Sequence, residues 1–195
     1  MQGRSKGSVN VVIGDITGHG VDAALFMTTA RGFLRMRAAQ PGNAAQIITD
    51  MNQHLSKDVL ESGRFMTLFL ISLDPNSGSL QWVRAGHDPA MVYDPGKDTF
   101  ENLLGKGAAL GVDGTLSYSE QAYENLTKGK IIVLGTDGIW ESMNPRSEMF
   151  GKQRLKKIIR ENADKEAKLI VEAVFKGIRE FTSGQKPFDD LTLVV

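Results

Sequence analysis

Apolar runs separated by turn signals divide the chain into segments whose length and period fit helices and strands. A β-branched run at Val9–Ile13 predicts a buried strand, and helical spacing predicts a helix from Val21 to about Ala39, which Pro41-Gly42 ends. The same criteria predict helices at Asn43–Leu60, Gln153–Glu161 and Lys165–Phe181. They predict further strands at Phe65–Leu73, Leu80–Ala85, Ala90–Tyr93, Phe100–Leu104, Lys130–Leu134 and Leu191–Val195, with a weaker candidate in SYSEQAYENL.

The order of these elements indicates the fold class. Helices come early and late, and the strands between them are linked by short turns, of which DPNSGS is a clear hairpin signal. This order favours a sandwich with antiparallel sheets over a doubly wound parallel sheet. Because the sequence shows no repeat and no linker, one domain over residues 1–195 is expected.

Composition narrows the function classes. Lys plus Arg and Asp plus Glu both total 23, so no basic excess points to nucleic acid or to an anionic membrane. The chain has no cysteine, which excludes disulfides and thiolate metal sites. Since neither a membrane span nor a signal peptide is evident, the sequence predicts a cytoplasmic domain that belongs to a longer protein.

Four aspartates lie at the ends of predicted strands. Asp15 ends VVIGD, Asp137 follows IIVLGT, and Asp189 and Asp190 directly precede the last strand. Carboxylates at strand ends can converge on one rim of a sheet, where a divalent cation would offset the cost of burying them. An all-oxygen ligand set suits Mg²⁺ or Mn²⁺, and two such ions sharing a carboxylate would activate a water for hydrolysis of a phosphoryl group. The alternative is that each Asp begins a turn or caps a helix, as Asp15 would in an Asx-turn.

Several sequence blocks resemble one enzyme family in the same order. The chain is similar to the stage II sporulation protein E-like branch of the PPM-type metal-dependent Ser/Thr phosphatases in GDITGHGVDAALFM, FMTLFLISLDPNSGSLQWVRAGHDPAMVY, GKIIVLGTDGIWES, FGKQRL and DDLTLVV. The resemblance covers nearly the whole chain. It implies an α+β fold, a four-layer α-β-β-α sandwich of mainly antiparallel sheets with metal ions at one edge.

The resemblance also implies a ligand set and a biological setting. Asp15 matches the carboxylate that bridges two Mn²⁺ or Mg²⁺ ions, and Ile16 the position that lends a backbone carbonyl. Asp137 and Asp189 match metal-binding aspartates, and Asp190 lies beside them as a further contributor. The implied protein is a cytoplasmic bacterial phosphatase that hydrolyses phospho-Ser or phospho-Thr. Its implied substrate is a phosphorylated anti-sigma-factor antagonist of STAS type, and its implied regulator is an upstream sensory domain.

One family feature is not found in this sequence. The family usually has an acidic GGD-x-x-D strand upstream of the GD-x-SGHG block, and the residues before Val9 contain no carboxylate. The chain is therefore expected to lack the first strand. Two consequences are predicted: partial metal occupancy, and an open edge at Val9–Ile13 through which the chain self-associates as a homodimer or larger species.

Several interpretations stay open at this point. His19 is either a general acid or a residue of the turn after Asp15, and His87 in AGHDP is either a general acid or fixes its turn. A haloacid-dehalogenase-type phosphotransferase with Asp137 as nucleophile needs an Asp at position 135, which is Gly135. The other rival is a phosphatase-like domain that binds a partner without turnover. The basic run Arg154–Lys157 is interpreted as a solvated helix face, with partner docking as the alternative.

Overall fold

Two antiparallel sheets, each with its own helices, account for the part of the chain that the computed structural model describes, residues 8–59, 63–123 and 126–195. In chain order the elements are β1 (Val9–Ile16), α1 (Val21–Ala38), α2 (Ala44–Val59), β2 (Met66–Asp74), β3 (Ser79–Ala85), β4 (Met91–Asp94), β5 (Thr99–Asn102), β6 (Gln121–Tyr123), β7 (Ile131–Gly135), α3 (Gly138–Glu141), α4 (Gly151–Glu161), α5 (Ala167–Phe181) and β8 (Leu193–Val194).

The chain contacts separate these elements into two units. The first lies within Met1–Pro89 and Leu104–Thr127, and the second within Ala90–Leu103 and Lys128–Val195. The single domain expected over residues 1–195 stays a prediction.

The first unit is a sheet with the strand order β1-β2-β3-β6 and two helices packed on one face. Leu68 and Leu70 of β2 and Val83 of β3 pack with the buried sides of α1 and α2. Because successive side chains of a strand point to opposite faces, the intervening residues of β1 and β2 lie on the other face. Asp15 belongs to that second face, which the helices of this unit do not cover.

Local sequence explains where the two helices of this unit begin. Gly20 precedes α1 with a φ of 88°, in the left-handed region that glycine adopts without strain. Asn43 and Gln46 cap α2 reciprocally: the Gln46 N–H donates to Asn43 Oδ1 at 2.8 Å, and the Asn43 N–H donates to Gln46 Oε1 at 3.0 Å. This arrangement has the geometry of a capping box, which satisfies donors that the helix cannot pair internally.

The second unit is a sheet with the strand order β5-β4-β7-β8, covered by helices α4 and α5. In α5 the side chains of Ile170, Val174 and Ile178, which are spaced four residues apart, are buried on one face of the helix. They pack with Leu155 and Ile159 of α4 and with the sheet. This packing holds β7, through Val133, against the buried layer of the helices.

Several elements differ from the sequence-based prediction, most of them by one or two residues at an end. β1 continues to Ile16 because its ladder with β2 extends through Asp15, so Asp15 lies within a strand. The short helix α3 was not predicted, since four residues carry too little periodicity. β8 covers only Leu193–Val194 of the predicted final strand. The predicted end of the second helix at Leu60 lies outside the described residues, as do Glu124 and Asn125 of SYSEQAYENL, where β6 forms.

Two further observations concern the surface. In the described part of the chain, β1 stands at the end of its sheet's strand order, and its Val9 and Val12 side chains are exposed. Among the same residues, no helix combines the length and the apolar character needed to cross a membrane.

Candidate metal centre

In the first unit, Asp15 is held near the end of β1 by the ladder with β2. It stands directly opposite Thr67, so the two side chains share one face of the sheet. Gly14 lets the strands approach closely, because a Cβ at that position would lie 2.3 Å from Met66 Cε and 3.0 Å from the Thr67 carbonyl oxygen. Asp15 is part of the strand β1, and the alternative that its side chain begins an Asx-turn stays open.

The turn after Asp15 is fixed by the segment that leads into β2. The Thr17 N–H donates to the Phe65 carbonyl at 3.0 Å, and the Phe65 N–H donates to Thr17 Oγ1 at 3.1 Å. Arg64 donates from Nη1 to the Thr17 carbonyl at 3.0 Å and reaches Asp22 of α1 at 3.4 Å. These contacts restrain the backbone directly after Ile16, whose carbonyl is a predicted ligand.

The two histidines of the sequence motifs have different surroundings. His87 is 4% exposed, and its Nδ1 lies 2.8 Å from the hydroxyl of Thr67. Its carbonyl accepts a hydrogen bond from Nε of Arg84, and Gly86 before it has a φ of 70°. These contacts support the turn-fixing interpretation of His87. His19 is exposed in the turn before α1, so its role stays open.

In the second unit, Asp137 and Asp189 lie together. Each carboxylate has an oxygen within 4.8 Å of an oxygen of the other. Thr136 joins their two segments: its Oγ1 donates to the Asp190 carbonyl at 3.0 Å and accepts from the Thr192 N–H at 3.1 Å. The end of β7 and the approach to β8 are thereby tied together.

The environment of Asp137 argues against a purely structural role. Asp137 occupies the N-cap position of α3, yet its side chain makes no capping hydrogen bond. Its Oδ1 is buried and has no hydrogen-bond partner among the described residues. Such an oxygen is costly in a folded protein unless it binds a cation. With Asp189 beside it, this oxygen fits a hard cation such as Mg²⁺ or Mn²⁺.

Asp190 differs from its neighbour. Its carbonyl accepts from Thr136, and its N–H donates to Asp189 Oδ1 at 2.8 Å. Its side chain is exposed and does not belong to the group of carboxylates that includes Asp137 and Asp189. The backbone of Asp190 therefore orients Asp189, and its role as a metal ligand stays a prediction.

Sequence reasoning missed three residues around these aspartates. Thr67, Arg64 and Thr136 act through register and long-range hydrogen bonds, none of which leaves a local pattern. Of the three, Thr136 was the easiest to find from sequence, because it lies inside the quoted block GKIIVLGTDG next to Asp137.

Comparison with known proteins identifies the type of domain. The family model described as stage II sporulation protein E (SpoIIE) matches residues 5–195. Phosphoserine phosphatase RsbU of Bacillus subtilis (strain 168) is 27% identical over 192 residues, which cover 98% of this chain and 56% of RsbU. The chain thus spans little more than half the length of that relative.

Solved structures show the same fold. The SiaA-PP2C domain of Pseudomonas aeruginosa matches with a TM-score of 0.80 and 22% identity, covering 96% of this chain and 78% of that one. RsbX, in a crystal structure with magnesium, matches with a TM-score of 0.67 and 16% identity, covering 98% and 82%. These matches confirm the predicted class, a PPM (PP2C-like) α+β fold with antiparallel sheets.

Proposed function

The chain belongs to the stage II sporulation protein E family, and we propose that it is a Mn²⁺- or Mg²⁺-dependent phosphoprotein phosphatase acting on phosphoserine or phosphothreonine. The observation that carries the proposal is the pair Asp137 and Asp189, in which a buried Asp137 oxygen has no hydrogen-bond partner among the described residues. The name of RsbU, a phosphoserine phosphatase, supports the reaction, and the magnesium bound by RsbX supports the metal.

Under this proposal Asp15, Asp137 and Asp189 would hold the metal ions, with the Ile16 carbonyl and Asp190 as further contributors. Bound ions of this kind supply a water of lowered pKa and neutralise the charge of a phosphoryl group. The chain's own part is to hold these oxygens in place, which the β1–β2 ladder does for Asp15 and Thr136 does for the segment of Asp189.

The finer biological assignment is also a proposal. The substrate is a phosphorylated anti-sigma-factor antagonist of STAS type, and the domain is the catalytic module of a longer cytoplasmic protein with an upstream sensory domain. The family membership and the matched share of RsbU support it. The position of β1 at the end of its sheet, as far as the described residues go, supports self-association of this domain.

Phosphate release from matched peptides tests the reaction. Peptides that carry phosphoserine, phosphothreonine or phosphotyrosine in one sequence are incubated with the protein and Mn²⁺, next to p-nitrophenyl phosphate. The proposal predicts release from phosphoserine and phosphothreonine and at least about a hundredfold loss in Asp137→Asn. Failure of all four compounds, with the fold intact by circular dichroism, would support a binding domain without turnover.

A further inference from the structure

Phe188 is an aromatic side chain that the fold leaves almost entirely in solvent. It is 91% exposed, more than any other large apolar side chain in the part of the chain that the structure describes, and the next most exposed phenylalanine there, Phe65, is 36% exposed. Single apolar residues on a protein surface are common and need no special explanation. What distinguishes Phe188 is its place, because the next residue is Asp189, a proposed metal ligand.

Before Phe188, the chain is anchored by the end of α5. The Ser183 N–H donates to the Glu180 carbonyl at 3.2 Å, and the Gly184 N–H donates to the Arg179 carbonyl at 2.9 Å. Ser183 and Gly184 have φ values of 54° and 74°. This is the Schellman arrangement, which ends a helix in the left-handed region and sets the direction of the chain beyond it.

After Phe188, the chain is anchored by the backbone of Asp190. The Asp190 carbonyl accepts from Thr136 Oγ1 at 3.0 Å. The same carbonyl oxygen would lie 2.5 Å from a Cβ on Gly138, so the start of α3 packs directly on this backbone. Leu191, the next residue along the chain, packs against the buried core of the same unit. The chain on this side of Phe188 is therefore held by both hydrogen bonds and packing.

The ring of Phe188 is thus held close to the proposed phosphoryl site. Only residues 185–188 and Asp189 stand between the two anchors, and Pro187 among them has a φ that its own ring fixes. Such restraint lowers the entropy lost when the ring contacts another molecule. Consecutive Cα atoms are about 3.8 Å apart, so Phe188 begins within that distance of Asp189. A substrate whose phosphoryl group reaches Asp189 brings the neighbours of its phosphoserine close to Phe188.

We propose that Phe188 binds an apolar side chain of the phosphoprotein substrate, located within about three residues of the phosphoserine. This inference rests on the proposed function, because the phosphoryl group is placed at the ions that Asp137 and Asp189 hold. The contact removes apolar surface of both partners from water, and aromatic residues contribute much of the affinity in protein recognition. Since every substrate carries the phosphoryl group, Phe188 distinguishes one phosphoserine from another by the residues beside it.

Steady-state kinetics on matched peptides test this inference. Three phosphoserine peptides, assayed in Mn²⁺, carry leucines before the phosphoserine, leucines after it, or glycines on both sides. One leucine peptide should have a lower KM than the glycine peptide. Phe188→Ala should raise the KM of that leucine peptide about tenfold and change its kcat less than about twofold, because the contact is lost equally from bound substrate and transition state. For the glycine peptide both constants should change less than about twofold.

Two further variants separate a binding role from a structural one. Phe188→Leu keeps an apolar side chain and should recover most of the affinity for the leucine peptide. Phe188→Trp adds an exposed indole, whose emission should shift to shorter wavelength on rapid mixing with the leucine peptide and not with the glycine peptide. The unaltered protein, with Trp82 and Trp140, gives the background emission.

The matched control is Leu169→Ala, which removes another exposed apolar side chain, about 18 Å along α5 from the end that leads to Phe188. It should leave the KM of all three peptides unchanged, and melting temperatures verify that each variant is folded. The inference is overturned if the leucine and glycine peptides have equal KM, or if Phe188→Ala affects both kinds of peptide alike. It is also overturned if Leu169→Ala raises KM as much, or if the Phe188→Trp emission does not respond to the leucine peptide.

Other occupants of this surface would give different results. If Phe188→Ala leaves every KM unchanged and instead lowers the mass measured by light scattering, the ring contacts a second copy of the chain and the inference is overturned. If Phe188→Ala leaves every KM unchanged and instead abolishes binding to phosphatidylserine vesicles, the ring contacts a membrane and the inference is likewise overturned. Phosphate release from the glycine peptide by the unaltered protein reports separately on the proposed function, and the tryptophan emission tests the contact even where no phosphate is released.

Discussion

At the scale of single residues, the clearest conflict between packing and charge is at Asp137. A carboxylate oxygen that is buried without a hydrogen-bond partner destabilises the folded state. The short helix after Asp137 offers backbone N–H groups, yet the side chain does not cap it. A bound cation resolves this conflict, and removing the charge resolves it in a different way.

The variant Asp137→Asn distinguishes the effect of a bound cation from the effect of removing the charge. We expect it to lower turnover at least about a hundredfold, since it removes the charge at the proposed metal site. Without metal the free energy of unfolding of the variant should exceed that of the unaltered protein by about 1 kcal/mol, because a neutral amide is less costly to bury than a carboxylate. Chemical denaturation with and without Mn²⁺ measures the free energy of unfolding of the metal-bound and the metal-free protein. Asp164→Asn, at an exposed position, is the control, and a large loss of metal-free stability in Asp137→Asn would contradict this account.

A second prediction ranks the two neighbouring aspartates. Asp189→Asn should reduce turnover more than Asp190→Asn, because the Asp189 carboxylate lies beside Asp137 while Asp190 acts through its backbone. We expect at least about a tenfold difference in kcat at saturating Mn²⁺. If Asp190→Asn is the harsher change, the assignment of ligands within DDLT is wrong by one residue.

The aspartates could be predicted from sequence because each stands beside an apolar run, and family resemblance added their roles. Their supporting residues could not. Arg64 holds the Thr17 carbonyl across 47 residues of sequence, and Thr67 faces Asp15 only through strand register. Neither contact has a local signature, so only three-dimensional structure reveals them.

At the scale of elements, prediction succeeded where period and turn chemistry agree. The hairpin DPNSGS joins β2 and β3, and α5 forms within the range predicted for it and ends at the predicted residue, Phe181. Prediction from sequence failed where tertiary contacts determine the extent of an element. β1 continues through Gly14 and Asp15 because β2 supplies partners, and α3 forms in a segment that Thr136 ties to the approach to β8.

The edge position of β1 leads to the third prediction. In the described part of the chain β1 pairs with β2 alone, and edge strands with exposed apolar residues recruit other chains. We expect the protein to self-associate as its concentration rises, and Val9→Lys/Val12→Lys to reduce the association. Size-exclusion chromatography with light scattering measures the mass. Leu169→Lys, at an exposed site on α5, is the control, and a protein that stays monomeric at all concentrations would contradict the prediction.

At the scale of the whole molecule, the proposed function requires that Asp15 of β1 and the pair Asp137 and Asp189 hold the same metal ions. If these aspartates bind the same ions, replacing either Asp15 or Asp137 should abolish hydrolysis. Asp15→Asn and Asp137→Asn should then be non-additive, the double variant being about as inactive as either single one.

The most direct test of the central claim is a Mn²⁺ titration that follows the loss of the free-ion electron paramagnetic resonance signal, alongside hydrolysis of p-nitrophenyl phosphate. The account predicts two bound ions per chain, with binding weakened at least about tenfold in Asp15→Asn and in Asp137→Asn and unchanged in Asp164→Asn. Hydrolysis should rise with bound Mn²⁺ and disappear in excess chelator. Full hydrolysis in excess chelator, or undiminished Mn²⁺ binding in both variants, would contradict the account.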